Sequence, residues 1–151
     1  AAVFFNQLKE AIMTDMPVKM SFEVRAVRID GHGSKAYCKD AEILLDTDMK
    51  GRRDAFNPAE LLLAALSACM IKGIERVTPI LGFQLRGIEV SVHGIRQDAP
   101  PLMESIHYEI LVDSDESDSR LDLLHENVKK YGTVFNTVLP GTQLSGVLRR
   151  V

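Results

Sequence analysis

The stretch Asn57-Pro58-Ala59-Glu60-Leu61-Leu62-Leu63-Ala64-Ala65-Leu66-Ser67-Ala68-Cys69 is the best-written element of the chain. Asn57 offers a side-chain oxygen to the unpaired amides of a first helical turn. Pro58 carries the φ that this turn needs, and Glu60 stands three residues after the cap, at capping-box spacing. From Leu61 to Ile71 every position except Ser67 is apolar. A helix that is apolar all round is buried on most sides. The stretch therefore predicts a central helix, running to about Val77 and closed by Thr78-Pro79 and Gly82.

On its N-terminal side, Phe4, Phe5, Leu8, Ile12 and Met16 recur at helical spacing up to Pro17, which predicts an amphipathic extension over residues 1–16. From Met20 the period changes to two. Met20, Phe22, Val24 and Ala26 alternate with polar residues, the pattern of a half-buried strand. The turn Asp30-Gly31-His32-Gly33 leads into a second strand over Ser34–Leu45, and Asp46–Asp54 reads as an exposed loop. On the C-terminal side, Ile88, Val90 and Val92 and then Ile106, Tyr108, Ile110 and Val112 alternate in two strands. Asp98-Ala99-Pro100-Pro101 turns the chain between them, so they form an antiparallel pair. Leu121, Leu124, Val128 and Tyr131 mark a second helix ending at Gly132, with a short helical piece over Asn136–Val138 and a last strand over Thr142–Val151. Strands segregated from helices argue an α+β class, with residues 17–151 as a single domain.

Composition excludes several functions. With 46% hydrophobic residues among 151, the chain has enough apolar material for a core and is not disordered. A net charge of −3 without a basic block argues against nucleic acid as a partner. No apolar run is long enough to span a membrane, and Ala1–Lys9 lacks the basic opening of a signal peptide. Two cysteines, Cys38 and Cys69, do not make a disulfide scaffold, which points to a reducing compartment, the cytoplasm.

Sequence fingerprints of metalloproteases, phosphate loops, serine hydrolases and dinucleotide sites are all missing, and no cofactor is expected. His32, His93, His107 and His125 are scattered singly. His93 and His107 could be neighbours across strands, but without a nearby carboxylate or thiol cluster they read as solvated, and no metal site is expected. Cys69 is the informative side chain. By composition it is a small core residue, since free cysteine is among the most buried types. Yet Leu62, Leu66, Cys69, Lys72, Gly73 and Arg76 share one helix face, where Lys72 and Arg76 could stabilise a thiolate. Glu60 is explained by the helix cap. Nine residues from Cys69, about 13.5 Å along the helix and on the roughly opposite face, it reaches the thiol only through an arginine that it orients.

The Asn57–Cys69 stretch resembles the signature of the OsmC/Ohr family, in which Pro-x-Glu-Leu-Leu opens a central helix and an Ala-rich segment leads to a reactive cysteine. The order of elements is similar as well, from about Met20 to Val151. The resemblance implies an OsmC-like α+β fold, an antiparallel sheet packed on a long central helix, in an intertwined homodimer with its two sites at the interface. It implies thiol-dependent reduction of hydroperoxides, with Cys69 as nucleophile, Glu60 orienting an arginine, and a role in oxidative stress. Arg25, Arg28, Arg52 and Arg53 are the candidate arginines.

Two departures qualify that activity. Peroxidase members carry a second cysteine where this chain has Gly132, within Lys130-Tyr131-Gly132-Thr133-Val134. The organic-hydroperoxide branch places its acid one position nearer the proline, at what is here Ala59. Cys38 could replace the missing thiol only if its Cα came within roughly 7 Å, and an inert core role suits it better. The expected function is accordingly a one-cysteine peroxidase completed by an external thiol reductant. The alternative is a non-catalytic dimer holding a small hydrophobic ligand at its interface. A structural subunit, hinted at only by Ala1–Asp15, is the third reading.

Overall fold

The computed structural model describes residues 19–151; the helical extension expected over 1–16 lies outside the described residues. The chain runs β1 (Arg25–Asp30), β2 (Gly33–Cys38), β3 (Ala41–Leu45), α1 (Pro58–Leu81), β4 (Leu85–Asp98), β5 (Pro101–Ser114), α2 (Asp118–Tyr131), α3 (Thr133–Val138), a 3-10 turn (Leu139–Gly141) and β6 (Gln143–Arg150). It is an α+β fold with two three-stranded sheets, ordered β1-β2-β3 and β4-β5-β6. Among the described residues no helix is long and apolar enough to cross a membrane.

α1 begins as its sequence dictates. Asn57 Oδ1 accepts from the Glu60 amide at 2.8 Å, and Glu60 Oε1 accepts from the Asn57 amide at 3.0 Å, completing the capping box. The helix continues through Pro79 to Leu81, four residues past the expected end. The true stop is Gly82, whose φ of 65° is the left-handed conformation and whose N–H bonds Thr78 O. One stripe of α1, Leu66, Met70, Ile74 and Val77, is buried against Ile106, Tyr108, Ile110 and Val112 of β5 and Leu121, Leu124 and Val128 of α2. Each such side chain contributes roughly 1.5–3 kcal/mol on leaving water, so this stripe is what fastens α1 to the sheet.

Three expectations change in the folded chain. The strand expected over Ser34–Leu45 is two strands, because Lys39 takes a φ of 53° and reverses the chain after Cys38. Met20–Val24 is not a strand within the chain: Arg25 pairs with Tyr37, and one residue beyond Tyr37 β2 ends, so the preceding residues have no partner. The final strand joins β5 in parallel, while every other pair is antiparallel. A parallel neighbour needs a crossover of a dozen or more residues, and α2 with α3 supplies it.

α1 is also less enclosed than its composition suggests. Leu62, Ala65 and Ala68 are exposed, as are all six residues of β1 and the side chains of Phe22 (76%) and Phe56 (54%). Among the described residues, no element covers these apolar faces.

Candidate functional site at the α1 to α2 contact

The site is built by helix packing. A Cβ placed on Gly73 of α1 would lie 3.8 Å from the Val128 side chain of α2, an ordinary contact that sets the helices close together. Cys69 is one turn before Gly73, and Gly132 is one turn after Val128. The contact therefore repeats in antiparallel sense: a Cβ on Gly132 would lie 3.2 Å from Cys69 Sγ. The same point is 3.0 Å from Phe135 Cβ and from Val128 O, so the absence of a side chain at 132 is what lets the thiol close on the α2–α3 junction. Gly132 itself has φ −76° and ψ 115°, a backbone that any residue adopts.

Cys69 is half-buried and free, and Cys38, at the end of β2, is also free. Around the junction, the Arg76 guanidinium stacks 5.5 Å from the Tyr131 ring centre, and Lys130 Nζ lies 5.2 Å from the same ring. Beside it opens a groove of about 680 Å³, bordered by Lys129, Lys130, Tyr131, Phe135, Asn136 and Leu144. Lys72 is exposed on the helix face it shares with Cys69.

Glu60 is elsewhere. Its carboxylate is engaged in the helix cap and lines a second groove of about 570 Å³ with Phe56, Leu63, Ala64, Ser67, Ala68 and others. That groove runs along the side of α1 away from the thiol, since positions 60, 64, 67 and 71 are nearly half a turn from 69. Sequence reasoning did not identify it. Its walls include Phe56, from the loop before the helix, and Val92, from β4, and only the fold brings these together.

The four candidate arginines belong to the first sheet and its loop. Arg52 holds Asp54 by two bonds, Nε to Oδ1 at 2.6 Å and Nη2 to Oδ2 at 2.7 Å, and donates to His32 O at 3.2 Å. Arg25 lies over the Tyr37 ring at 4.8 Å. Arg28 extends beside Gly31, and Arg53 is exposed. Among the described residues none of the four forms an ion pair with Glu60. In the single chain the cations on the thiol's helix face are Lys72 and Arg76, which their spacings of three and seven from Cys69 place there.

A titratable pair lies behind the junction. Tyr108 OH and His125 Nε2 share a hydrogen bond of 2.6 Å, and the Tyr108 ring packs edge-on against Phe135. Burial pushes the Tyr108 phenol up to about 12. Burial, then the nearby Lys129, hold His125 below its ordinary value, against the opposing pull of Glu126 and Asp122.

Residues 50–145, well over half the chain, match the family model described as OsmC-like protein. No curated protein matches the sequence. The fold is similar to an OsmC-like protein from Mycoplasma pneumoniae, at 19% identity and a TM-score of 0.82, over 89% of this chain and 99% of that one. It is also similar to an OsmC-like protein of unknown function from Vibrio cholerae, at 11% identity and a TM-score of 0.75, over 87% and 100%. The organic hydroperoxide resistance protein OhrB of Bacillus subtilis aligns at 13% identity and a TM-score of 0.64, over 86% and 98%. At these identities the structures speak for the fold, and the family match carries the assignment: the chain belongs to the OsmC-like protein family.

Proposed function

We propose that this OsmC-like protein is a one-cysteine, thiol-dependent hydroperoxide reductase that works as a homodimer in the cytoplasm, with Cys69 as its nucleophile. The observation that carries the reading is the half-buried residue Cys69, whose sulfur lies at the α1–α2 contact on a helix face that Lys72 and Arg76 share. The Cys69 thiolate attacks the outer peroxide oxygen; the O–O bond breaks, the leaving alkoxide takes a proton to become an alcohol, and the sulfur becomes a sulfenic acid. An external thiol condenses with it, releasing water and leaving a mixed disulfide. A second external thiol then attacks that disulfide, freeing the oxidised reductant and restoring Cys69. An external thiol is needed because Gly132 offers no sulfur. Glu60 is the residue proposed to orient an arginine in the assembled dimer.

The dimer is supported by the large apolar side chains exposed on α1, β1 and the Met20–Val24 approach, among them Met20, Phe22, Val24, Ile29 and Leu62. Purified protein should consume cumene hydroperoxide in the presence of dithiothreitol, and Cys69→Ser should abolish turnover. Equal turnover by the variant refutes the assignment.

The second reading, a non-catalytic dimer carrying a small hydrophobic molecule, is favoured by the 570 Å³ groove with its apolar walls and its two polar groups, Glu60 and Ser67. Native mass spectrometry of freshly purified protein should then show a bound apolar molecule that Ala64→Phe removes; a ligand-free spectrum sinks it.

A further inference from the structure

The face of the β4-β5-β6 sheet turned away from the helices carries two histidines that the proposed chemistry leaves unused. His93 on β4 and His107 on β5 are register partners in the antiparallel pair, and both are exposed. Residues directly opposite in such a pair project from the same face, with Cβ atoms about 4.5–5.5 Å apart. Ile106 and Tyr108, on either side of His107, are buried in the core. His107, and His93 with it, therefore points to the other side. Next to His107 in parallel register on β6 is Ser145, whose Oγ lies 3.1 Å from His107 Nδ1. The hydroxyl holds the ring by one nitrogen and leaves Nε2 to a second partner.

We propose that His93 and His107 form a two-imidazole chelate for a divalent transition-metal ion, with Cu2+ held most tightly. Cross-strand Cβ spacing lets both rings turn a nitrogen onto one ion, at the roughly 2.0–2.1 Å typical of metal–imidazole bonds, by side-chain rotation alone. Ser145 holds the His107 ring in orientation, the task that outer partners perform for metal-bound histidines. Nitrogen donors favour Cu2+ over the other divalent first-row ions. Of the acids on the same face, Glu109, two residues from His107, is already held by Arg149, through Nε to Oε2 at 3.1 Å and Nη2 to Oε1 at 3.2 Å, and Glu89 is four residues along β4 from His93. Among the described residues no group of three or more metal-ligating side chains is assembled, so water completes the coordination and the ion exchanges readily. By sequence alone both histidines read as solvated; their shared register and the Ser145 bond change that.

Titration of the full chain with Cu2+ at neutral pH, followed by electron paramagnetic resonance, tests the site. One ion per chain should show two equatorial imidazole nitrogens. Because the second nitrogen binds intramolecularly, His93→Asn and His107→Asn should each weaken binding by about a hundredfold. Ser145→Ala should weaken it by about tenfold. His32→Asn, which removes an exposed histidine beside Asp48, should change nothing, and the His93→Asn/His107→Asn double variant measures binding elsewhere on the chain. The substituted residues are exposed, so metal-free melting temperatures should match the parent and certify the fold. Parent-like affinity in either single histidine variant, or a spectrum with one imidazole, overturns the proposal.

Discussion

Replacing Gly132 by cysteine should turn a one-thiol site into a two-thiol site. In a disulfide, one sulfur lies about 3.0 Å from the Cβ of the other residue; the Cβ position at 132 is 3.2 Å from Cys69 Sγ. The backbone there, at φ −76° and ψ 115°, accepts a side chain without strain. Crowding comes from Phe135 Cβ and Val128 O, both 3.0 Å away, which must yield by a few tenths of an ångström. The reduced variant should therefore lose about 1–3 kcal/mol. One equivalent of hydroperoxide converts Cys69 to the sulfenic acid, and the introduced thiol condenses with it to give a disulfide and water. Closing a loop of roughly 60 residues removes denatured-state entropy equivalent to about 4 kcal/mol. The oxidised variant should thus melt roughly 10 °C above its own reduced form. Thiol counting, non-reducing peptide mapping and thermal melts with and without reductant provide the assay. Two alkylatable thiols remaining after peroxide treatment, in protein whose Cys69 is shown to oxidise in the parent, would refute the geometry. A parent Cys69 that never oxidises would instead refute the peroxidase reading itself.

Three further outcomes follow from the same contacts. Glu60→Gln keeps an oxygen for the Asn57 amide, so stability should change by less than about 0.5 kcal/mol; a fall in peroxide turnover at unchanged melting temperature would mark Glu60 as a positioning residue, and no fall would leave it a cap alone. His125 is held neutral in the folded state, so the unfolded chain binds the extra proton first as pH drops. Its contribution to stability is complete above the unfolded value of about 6.5 and is lost as pH falls through the lower folded value; denaturant melts from pH 7.5 to 5 should show this slope, and His125→Gln should flatten it. Gly146→Ala would set a methyl 2.5 Å from the buried Tyr108 ring, and a loss of about 1–3 kcal/mol, or several degrees in melting temperature, is expected; an unchanged melt would show that the ring does not rest on β6.

What could be read in advance depended on the range of the interactions. The cap of α1 is local: Asn57, Pro58 and Glu60 satisfy one another within a single turn, and the sequence alone specifies it. The β4–β5 pair was equally legible, because alternating residues flank a proline-rich turn. The direction of β6 was not, since alternation reports which face is buried and says nothing of strand polarity; the α2–α3 crossover decides that. The reversal at Lys39 left little trace either, because a positive φ at a lysine carries no compositional marker. Met20, Phe22 and Val24 alternate as a strand should, yet pairing also needs a neighbour, and β2 ends at Cys38. At the site, the spacing from Cys69 to Arg76 could be read along the helix. The approach of Gly132 to Cys69 depends on where Gly73 meets Val128, a contact between elements about fifty residues apart.

The two readings of the site are physically separable because α1 keeps them on different faces. Cys69, Gly73 and Arg76 line the side that meets α2, whereas Glu60, Ala64 and Ser67 line the side that meets the apolar groove. A molecule lying in that groove does not touch the thiol of the same chain, so filling the groove should leave a working Cys69 working. Conversely, Gly132 has no neighbour in the groove, and crowding it should change sulfur chemistry without changing apolar binding. The same reasoning bears on Glu60. In one chain it is a helix cap across the helix from the sulfur, and any influence on Cys69 has to pass through a group supplied from outside that chain's own α1–α2 contact. A catalytic effect of Glu60 would thus be evidence for such a further group, supplied by the first sheet and its loop or by a second subunit.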